Sequence, residues 1–354
     1  MKRLAVFLVL WLVASISIVA AAGTEYPKKV RISTFAFIVD GKTTIRGTPL
    51  VDRVIEERWL EQELTKRGVV LEWYPIVGDT GAVTNEALAS NRVDFANIGD
   101  LPSVLLNAGG IRTAIVAPSG RGSDMYLLVP GDSTVKSIRE LQGKRISVHR
   151  GRPWELGLRK LIESEGMKVS DFKISNLDPR AGAAALAAGK VDAHFANNGH
   201  QLEESGLGRI VWSTKGKPQH FKYRAEIWGK RDFIERHPEL TQLVATAFVK
   251  AAHWASQDAN REAVIKIATR NKTPEVVVRR NYEDDSLSWK DRWSPLVDET
   301  VREHFRDVVD FARKERLIAR PLDPDELVEP RFVNAALKSL KLEGHWTPWQ
   351  RAAR

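Results

Sequence analysis

Two segments of the chain resemble each other, and this internal repeat limits the possible folds more than any other feature. The segments span residues 87–99 and 185–199, and each contains the end of a helix, a tight turn and a short apolar strand. The turns fall at Asn91 and Gly189, residue types that tolerate the left-handed backbone common at helix ends. The repeat therefore predicts two similar α/β units within one chain.

A second pair of segments supports the duplication. Residues 30–33 (VRIS) and 144–147 (KRIS) are typical of the opening strand of an α/β unit, and each precedes its copy of the first repeat. The spacing between the paired segments differs between the two copies. We therefore interpret the similarity as two lobes of common architecture rather than as a tandem array of fixed period.

The remaining patterns predict strands alternating with helices, followed by a mostly helical C-terminal region. Short apolar runs predict strands at 69–74 and 113–116. Asp178 before Pro179 is a typical helix start, and the apolar residues that follow Pro238 recur with helical period. We expect the last helix to span roughly residues 325–340.

The first residues predict export from the cytoplasm. Lys2 and Arg3 precede an uncharged run over residues 4–20, and the alanines at 20–22 are the small residues that signal peptidase recognises. We therefore expect residues 1–22 to be a cleaved signal peptide. The mature protein would be periplasmic, because a chain without cysteine has no lipid-attachment site to tether it.

Charge and the lack of cysteine narrow the chemistry. The formal charge is +9, and a basic exported protein suits an anionic partner. Lysine and arginine are spread among acidic residues instead of clustering on one helix, so we do not expect a nucleic-acid partner. Without cysteine the chain has no disulfide or thiolate metal site, and its eight histidines are scattered. We expect neither a metal nor a cofactor.

Candidate ligand-binding residues follow from the predicted topology. In open α/β sheets ligands bind beyond the carboxyl ends of the strands, and two facing lobes bring these ends together across one cleft. The loops at these ends contain Thr34, Phe35, Asp79, Thr80, Gly81, Gly99, Asp100, Arg150, Gly151, Arg152, Asn197 and Asn198. We predict that these residues bind the ligand.

Several of these candidates also have a structural explanation. Arg152 precedes Pro153 at a predicted helix start, where a guanidinium can hold an anion through two parallel hydrogen bonds, but it could equally form an ion pair between the lobes. Asp100 could simply cap a helix, and Asn198 before glycine could simply form a turn. We expect His200 to lie on the surface.

Several motifs together resemble the nitrate-, sulfonate- and taurine-binding proteins of ABC importers. They cover most of residues 28–260 in the family's order and comprise Gly78 through Val93-Asp94-Phe95 to Gly99-Asp100-Leu101-Pro102, the segment 132–145, Gly189-Lys190-Val191-Asp192-Ala193, and His237-Pro238-Glu239. The resemblance implies a type II periplasmic binding fold. Lobe I would comprise residues 23–120 and 222–354, lobe II residues 121–221, and the chain would cross between them twice.

The resemblance also implies a function. The protein would be the periplasmic solute-binding component of an ABC importer and not an enzyme. As a monomer it would close its lobes on a small organic anion, a sulfonate by preference, and present it to an inner-membrane permease. The resemblance further implies that Tyr223 and Trp228 lie at the cleft, and it raises the same expectation for Trp289 and Trp293.

Two departures from the family pattern leave the solute open. Gly151-Arg152-Pro153-Trp154 and Asn197-Asn198-Gly199 stand where relatives carry other residues. The alternatives are a binding protein for nitrate, for bicarbonate or for a thiamin-precursor pyrimidine, a sensor subunit, or a fold-related enzyme. A cleft lined with acidic residues rather than arginine would favour the pyrimidine.

Overall fold

The computed structural model describes residues 25–39, 41–45, 47–77, 80–283 and 287–349, apart from the side chains of Val39 and Thr80. The predicted signal peptide at 1–22 lies outside the described residues. The described chain forms two β-sheets flanked by helices. The α/β class and the two similar units are therefore confirmed.

The first sheet contains strands that precede and follow the second sheet in the chain. Its strands are β1 (Lys29–Val39), β2 (Lys42–Ile45), β3 (Val70–Ile76), β4 (Phe95–Gly99), β5 (Thr113–Ala117) and β11 (Ala225–Lys230). They lie in the order β3-β1-β4-β11-β5, and β2 pairs with the last residues of β1. The strands predicted at 69–74 and 113–116 are β3 and β5.

The second sheet is formed by the middle of the chain. Its strands are β6 (Tyr126–Val129), β7 (Arg145–Val148), β8 (Lys173–Asn176), β9 (Ala193–Ala196) and β10 (Arg209–Ser213), in the order β8-β7-β9-β6-β10. Each sheet has three parallel strands followed by one antiparallel strand. That antiparallel strand is β11 in one sheet and β6 in the other, and each is formed just after the chain arrives from the opposite sheet.

The repeat seen in the sequence corresponds to a repeated set of contacts. The backbone N–H and guanidinium of Arg31 donate to the carboxylate of Asp94, and those of Arg145 donate to Asp192 in the same way. Each arginine also donates to the carbonyl of the turn residue, whose φ is 57° in the first unit and 62° in the second. In each unit this arginine–aspartate pair therefore joins one parallel strand, β1 or β7, to the turn before its neighbour, β4 or β9.

Fourteen α-helices surround the sheets in the part of the chain that the structure describes. They are α1 (Pro49–Glu57), α2 (Trp59–Thr65), α3 (Thr80–Ala89), α4 (Asp100–Ala108), α5 (Pro153–Ser164), α6 (Pro179–Ala187), α7 (Gly199–Glu204), α8 (Arg231–Arg236), α9 (Pro238–Ser256), α10 (Arg261–Ala268), α11 (Glu275–Tyr282), α12 (Trp289–Arg292), α13 (Glu299–Lys314) and α14 (Pro330–Ser339). Among the described residues, none of these helices is long and apolar enough to cross a membrane.

The helical C-terminal region is confirmed, but the prediction of one last helix over 325–340 is wrong. A short 3-10 turn over Pro324–Leu327 comes first, and α14 then begins at Pro330. Val328 is extended and Glu329 is non-helical (φ −132°, ψ 72°), because the ring of the following proline disfavours helical backbone at the preceding residue.

The two crossover segments, residues 118–125 and 214–224, lie side by side. Ser123 and Tyr223 exchange backbone hydrogen bonds of 2.8 and 3.1 Å across them. Next to this bridge the ammonium of Lys222 lies 2.6 Å from Asp124, and both side chains are buried. This double crossing is the one that the type II periplasmic binding fold requires.

Candidate ligand-binding cleft

A cavity of about 1390 Å³ opens between the two sheets. One wall comes from the first sheet and its helices, including Phe35, Gly99 and Pro102, and the other comes from the second, including Arg152 and Asn197. The crossover segments form the floor of the cavity, where the two halves connect. They contribute Ser119, Gly120, Gly122, Ser123, Asp124 and Tyr223. A ligand in this cavity would therefore contact both halves of the molecule.

Five helices of at least eight residues begin at the cavity wall. They are α1, α3 and α4 on the side of the first sheet and α5 and α6 on the side of the second. Proline at the first position of α1, α5 and α6 suits a helix start, because the N–H that it lacks would have no intrahelical partner there. The N-terminal dipoles place partial positive charges at the cavity wall, which favour an anion.

An arginine and two aromatic rings form a continuous group on the side of the second sheet. The Arg152 guanidinium lies 5.2 Å from the centre of the Trp154 ring, which meets Tyr223 edge-on at 6.0 Å. The hydroxyl of Tyr223 accepts a hydrogen bond of 3.2 Å from the amide of Asn197. Burial raises the pKa of Tyr223, so this hydroxyl stays protonated and can donate to a ligand.

Four carboxylates also line the cavity, and each already accepts hydrogen bonds from the protein. Asp124 accepts from Lys222 and Thr214, and Glu226 accepts from Arg224 and from the N–H of Ser119. The other two are Asp52, which accepts from the N–H of Gly47, and Asp178, which caps α6. These hydrogen bonds, and the nearby cations Lys222 and Arg224, offset part of the negative charge that the four carboxylates bring to the cavity.

Half of the predicted ligand-binding residues line the cavity. The structure brings together Phe35, Gly81, Gly99, Arg152, Asn197, Asn198 and Tyr223. Gly81 and Arg152 come from opposite sides, and a Cβ added at Gly81 would lie 2.0 Å from a guanidinium nitrogen of Arg152. Asp79 lies outside the described residues, and of Thr80 only the backbone, at the start of α3, is described.

Other predicted residues do not line the cavity. Thr34 is buried in β1, and Gly151 supplies the positive φ of 70° for the turn before α5. Arg150 is half exposed and donates 3.0 Å to Glu155 in the first turn of α5.

Asp100 and Trp228 also lie behind the wall. The carboxylate of Asp100 accepts from the backbone N–H groups of Leu101 and Arg224 and lies 2.6 Å from Nε2 of His304. It therefore joins α4 to β11 and α13. Trp228 is fully buried and packs edge-on against Phe305 at 5.4 Å, so its expected place at the cleft is wrong.

The surface position expected for His200 is also wrong. Its ring is buried against Tyr126, with the ring centres 4.7 Å apart. Neither ring nitrogen has a hydrogen-bond partner among the described residues. Burial lowers the pKa of His200 to about 4, so the ring is neutral at physiological pH.

Sequence reasoning missed several residues of the lining. Trp154 occupies the second position of α5, and its place two residues after Arg152 at a predicted helix start was a signal that it could reach the cleft. Arg292 is another residue that was missed; it lines the cavity together with Trp293, for which the resemblance raised that expectation, so the chain beyond residue 286 reaches the cavity. Trp289 lies in the core, where its indole N–H donates to the carbonyl of Ala255, so its expected place at the cleft is wrong.

Comparison with known proteins agrees with this geometry. The model of the family described as NMT1/THI5 like matches residues 65–262, more than half of the chain. The taurine-binding periplasmic protein of Escherichia coli K12 is 24% identical over 279 residues, which are 75% of this chain and 84% of that protein.

Two solved structures have the same fold. One, from Methylobacillus flagellatus KT, is provisionally named a periplasmic sulfonate-binding protein of a sulfonate ABC transporter. It is 43% identical, with a TM-score of 0.83 over 92% of this chain and 99% of that one. The periplasmic aliphatic sulphonate binding protein of Escherichia coli has a TM-score of 0.67 at 19% identity, over 93% and 95% of the two chains. The chain belongs to the NMT1/THI5-like family.

Proposed function

We propose that this protein is the periplasmic solute-binding component of an ABC importer and that it captures an organic sulfonate between its two halves. The observation that carries the proposal is the convergence of five helix N-termini and Arg152 on one cavity between the sheets. Dipoles and a guanidinium suit a sulfonate, which has one negative charge shared by three acceptor oxygens. Relatives named as sulfonate- and taurine-binding proteins support this choice of anion.

Ligand capture is a physical step in this proposal. Lobe I (23–120 and 222–354) and lobe II (121–221) hinge about the paired crossover segments, and the ligand shifts the population towards the closed form. A permease in the inner membrane then takes the ligand from that form. A cleavable signal peptide directs export of the protein. The ligand is released chemically unchanged, and mass spectrometry of the released ligand checks this.

A thermal-shift screen of the protein without residues 1–22 tests the proposal. The panel contains ethanesulfonate, benzenesulfonate, taurine, nitrate, bicarbonate and a thiamin-precursor pyrimidine. A ligand at a hundred times its Kd adds about 2.7 kcal/mol to the free energy of unfolding, which gives a clear rise in Tm. We expect that rise with sulfonates. A rise with the pyrimidine alone would contradict the proposal.

Arg152→Ala and Arg150→Ala form a matched pair for locating the site. Loss of a hydrogen bond to a charged group costs about 1.5–3 kcal/mol, so Arg152→Ala should weaken sulfonate binding roughly 10- to 100-fold. Arg150 lies two residues away but outside the cavity, so Arg150→Ala should leave the Kd within about twofold, the scatter expected for a residue without ligand contact. Equal effects of the two substitutions would refute the role of Arg152.

A further inference from the structure

The cleft has an apolar margin that the anion does not need. Seven large hydrophobic side chains are exposed among the described residues, and three of them, Phe37, Ile38 and Val77, line the cavity. Their exposed fractions are 41%, 66% and 41%. Single exposed hydrophobic residues are ordinary, but a cluster at the edge of a cavity marks a binding surface.

This margin is formed by a hairpin that projects past the sheet. The first residues of β1 pair with β3 as far as Phe35 and Ile76, whereas the last four, 36–39, pair only with β2. β1 and β2 therefore continue as a two-stranded ribbon beyond the carboxyl end of the sheet, on the side where the cavity lies. A two-stranded ribbon without a covering layer leaves its apolar side chains exposed.

The size of the cavity leaves room for more than an anionic group. Its volume of about 1390 Å³ exceeds the range of about 300–1000 Å³ typical of sites that bury drug-sized ligands. The helix N-termini and Arg152 account for the charged end of a ligand, and Phe35 continues the apolar lining from the sheet to the hairpin. The charged and apolar parts thus belong to one continuous site.

We infer that the β1–β2 hairpin binds the apolar tail of the ligand, so that the site selects sulfonates with a long alkyl or aryl group over small ones such as taurine. This inference rests on the proposed function, because it takes the anionic end of the ligand to be a sulfonate. Phe37, on the same face of β1 as Phe35, covers the tail from the hairpin, and Val77 covers it from the end of β3.

A series of unbranched alkanesulfonates, from ethane- to octanesulfonate, tests this inference by isothermal titration calorimetry. Each methylene that becomes buried strengthens binding roughly fourfold. In the unmodified protein we expect affinity to rise at up to that rate once the chain reaches the hairpin. In Phe37→Ser/Ile38→Ser the rise should be much shallower, while the Kd of ethanesulfonate stays within about twofold, since a two-carbon chain makes no hairpin contact.

Val70→Ser/Leu207→Ser is the matched control, because both side chains are exposed and neither lines the cavity. It should keep the full dependence on chain length, and circular dichroism should show that both variants are folded. Binding of ethanesulfonate without any gain from longer chains, or equal slopes in all three proteins, would overturn the inference alone. Failure of every sulfonate to bind would overturn the proposed function and the inference with it.

Discussion

The buried ion pair between Lys222 and Asp124 is the contact whose loss we expect to destabilise the fold most clearly. The exposed fractions of the two side chains are 1% and 4%, and the ammonium lies 2.6 Å from the carboxylate. The pair joins the two crossover segments, where Asp124 also accepts a hydrogen bond of 2.7 Å from the hydroxyl of Thr214. It therefore holds together the connection between the two sheets.

Lys222→Met removes the ammonium group. Asp124 then remains buried and keeps the hydrogen bond that it accepts from the hydroxyl of Thr214. Removal of one partner from a buried pair costs about 3–5 kcal/mol, because the remaining charge has lost its counter-ion. The surviving hydrogen bond places the expected cost near the lower end of that range. Asp124→Asn should cost a similar amount. The double variant should be at least about 1 kcal/mol more stable than the sum of the single effects predicts, since the two side chains contact each other and either single substitution already removes that contact.

Urea unfolding followed by tryptophan fluorescence measures these free energies. Lys29→Met is the control, because Lys29 and Glu72 form an exposed pair of similar length, 2.8 Å. Such pairs contribute about 0–1 kcal/mol. The reasoning is refuted if Lys222→Met costs no more than Lys29→Met, or if the effects of Lys222→Met and Asp124→Asn simply add.

Two further predictions concern pH. Burial lowers the pKa of His200 from 6.5 to about 4, so the stability contributed by its neutral ring is lost as the pH falls from 6.5 towards 4. Between pH 6.5 and pH 4 the free energy of unfolding of His200→Phe should therefore fall by up to about 3 kcal/mol less than that of the unmodified protein. If the Tm of the two proteins depended on pH in the same way, this prediction would be wrong. The hydrogen bond from Arg145 lowers the pKa of Asp192, so its contribution exists above the unfolded pKa near 3.8 and is lost as the pH falls through the folded value. Asp192→Asn should cost about 1 kcal/mol at pH 7 and less at about pH 3, below the unfolded pKa. An equal shift in the urea midpoint at both pH values would speak against the ion pair.

The duplicated architecture could be predicted because the same local chemistry recurs in both units. Arg31 and Asp94 occupy equivalent positions to Arg145 and Asp192, and the turn residue before each aspartate has the backbone that asparagine and glycine tolerate. These features depend on neighbours close in sequence or on strand pairing. The alternation of strands and helices then places the carboxyl ends of both sheets around one cleft.

Contacts over long sequence separations could not be predicted in the same way. Asp100 lies at a helix start beside the cleft, but its carboxylate lies against His304, more than two hundred residues later. Trp228 follows a segment that returns to the cleft, yet it faces Phe305 of α13. In both cases the packing of a C-terminal helix decides whether the side chain faces the ligand or the core, and no local pattern encodes that choice.

The most direct test of the central claim is a crystal structure of the protein, without residues 1–22, grown with octanesulfonate. The account predicts the sulfonate group among the N-termini of the helices that begin at the cavity, beside Arg152, in contact with residues from both sheets. A ligand bound elsewhere, or bound to one half of the molecule alone, would contradict the account.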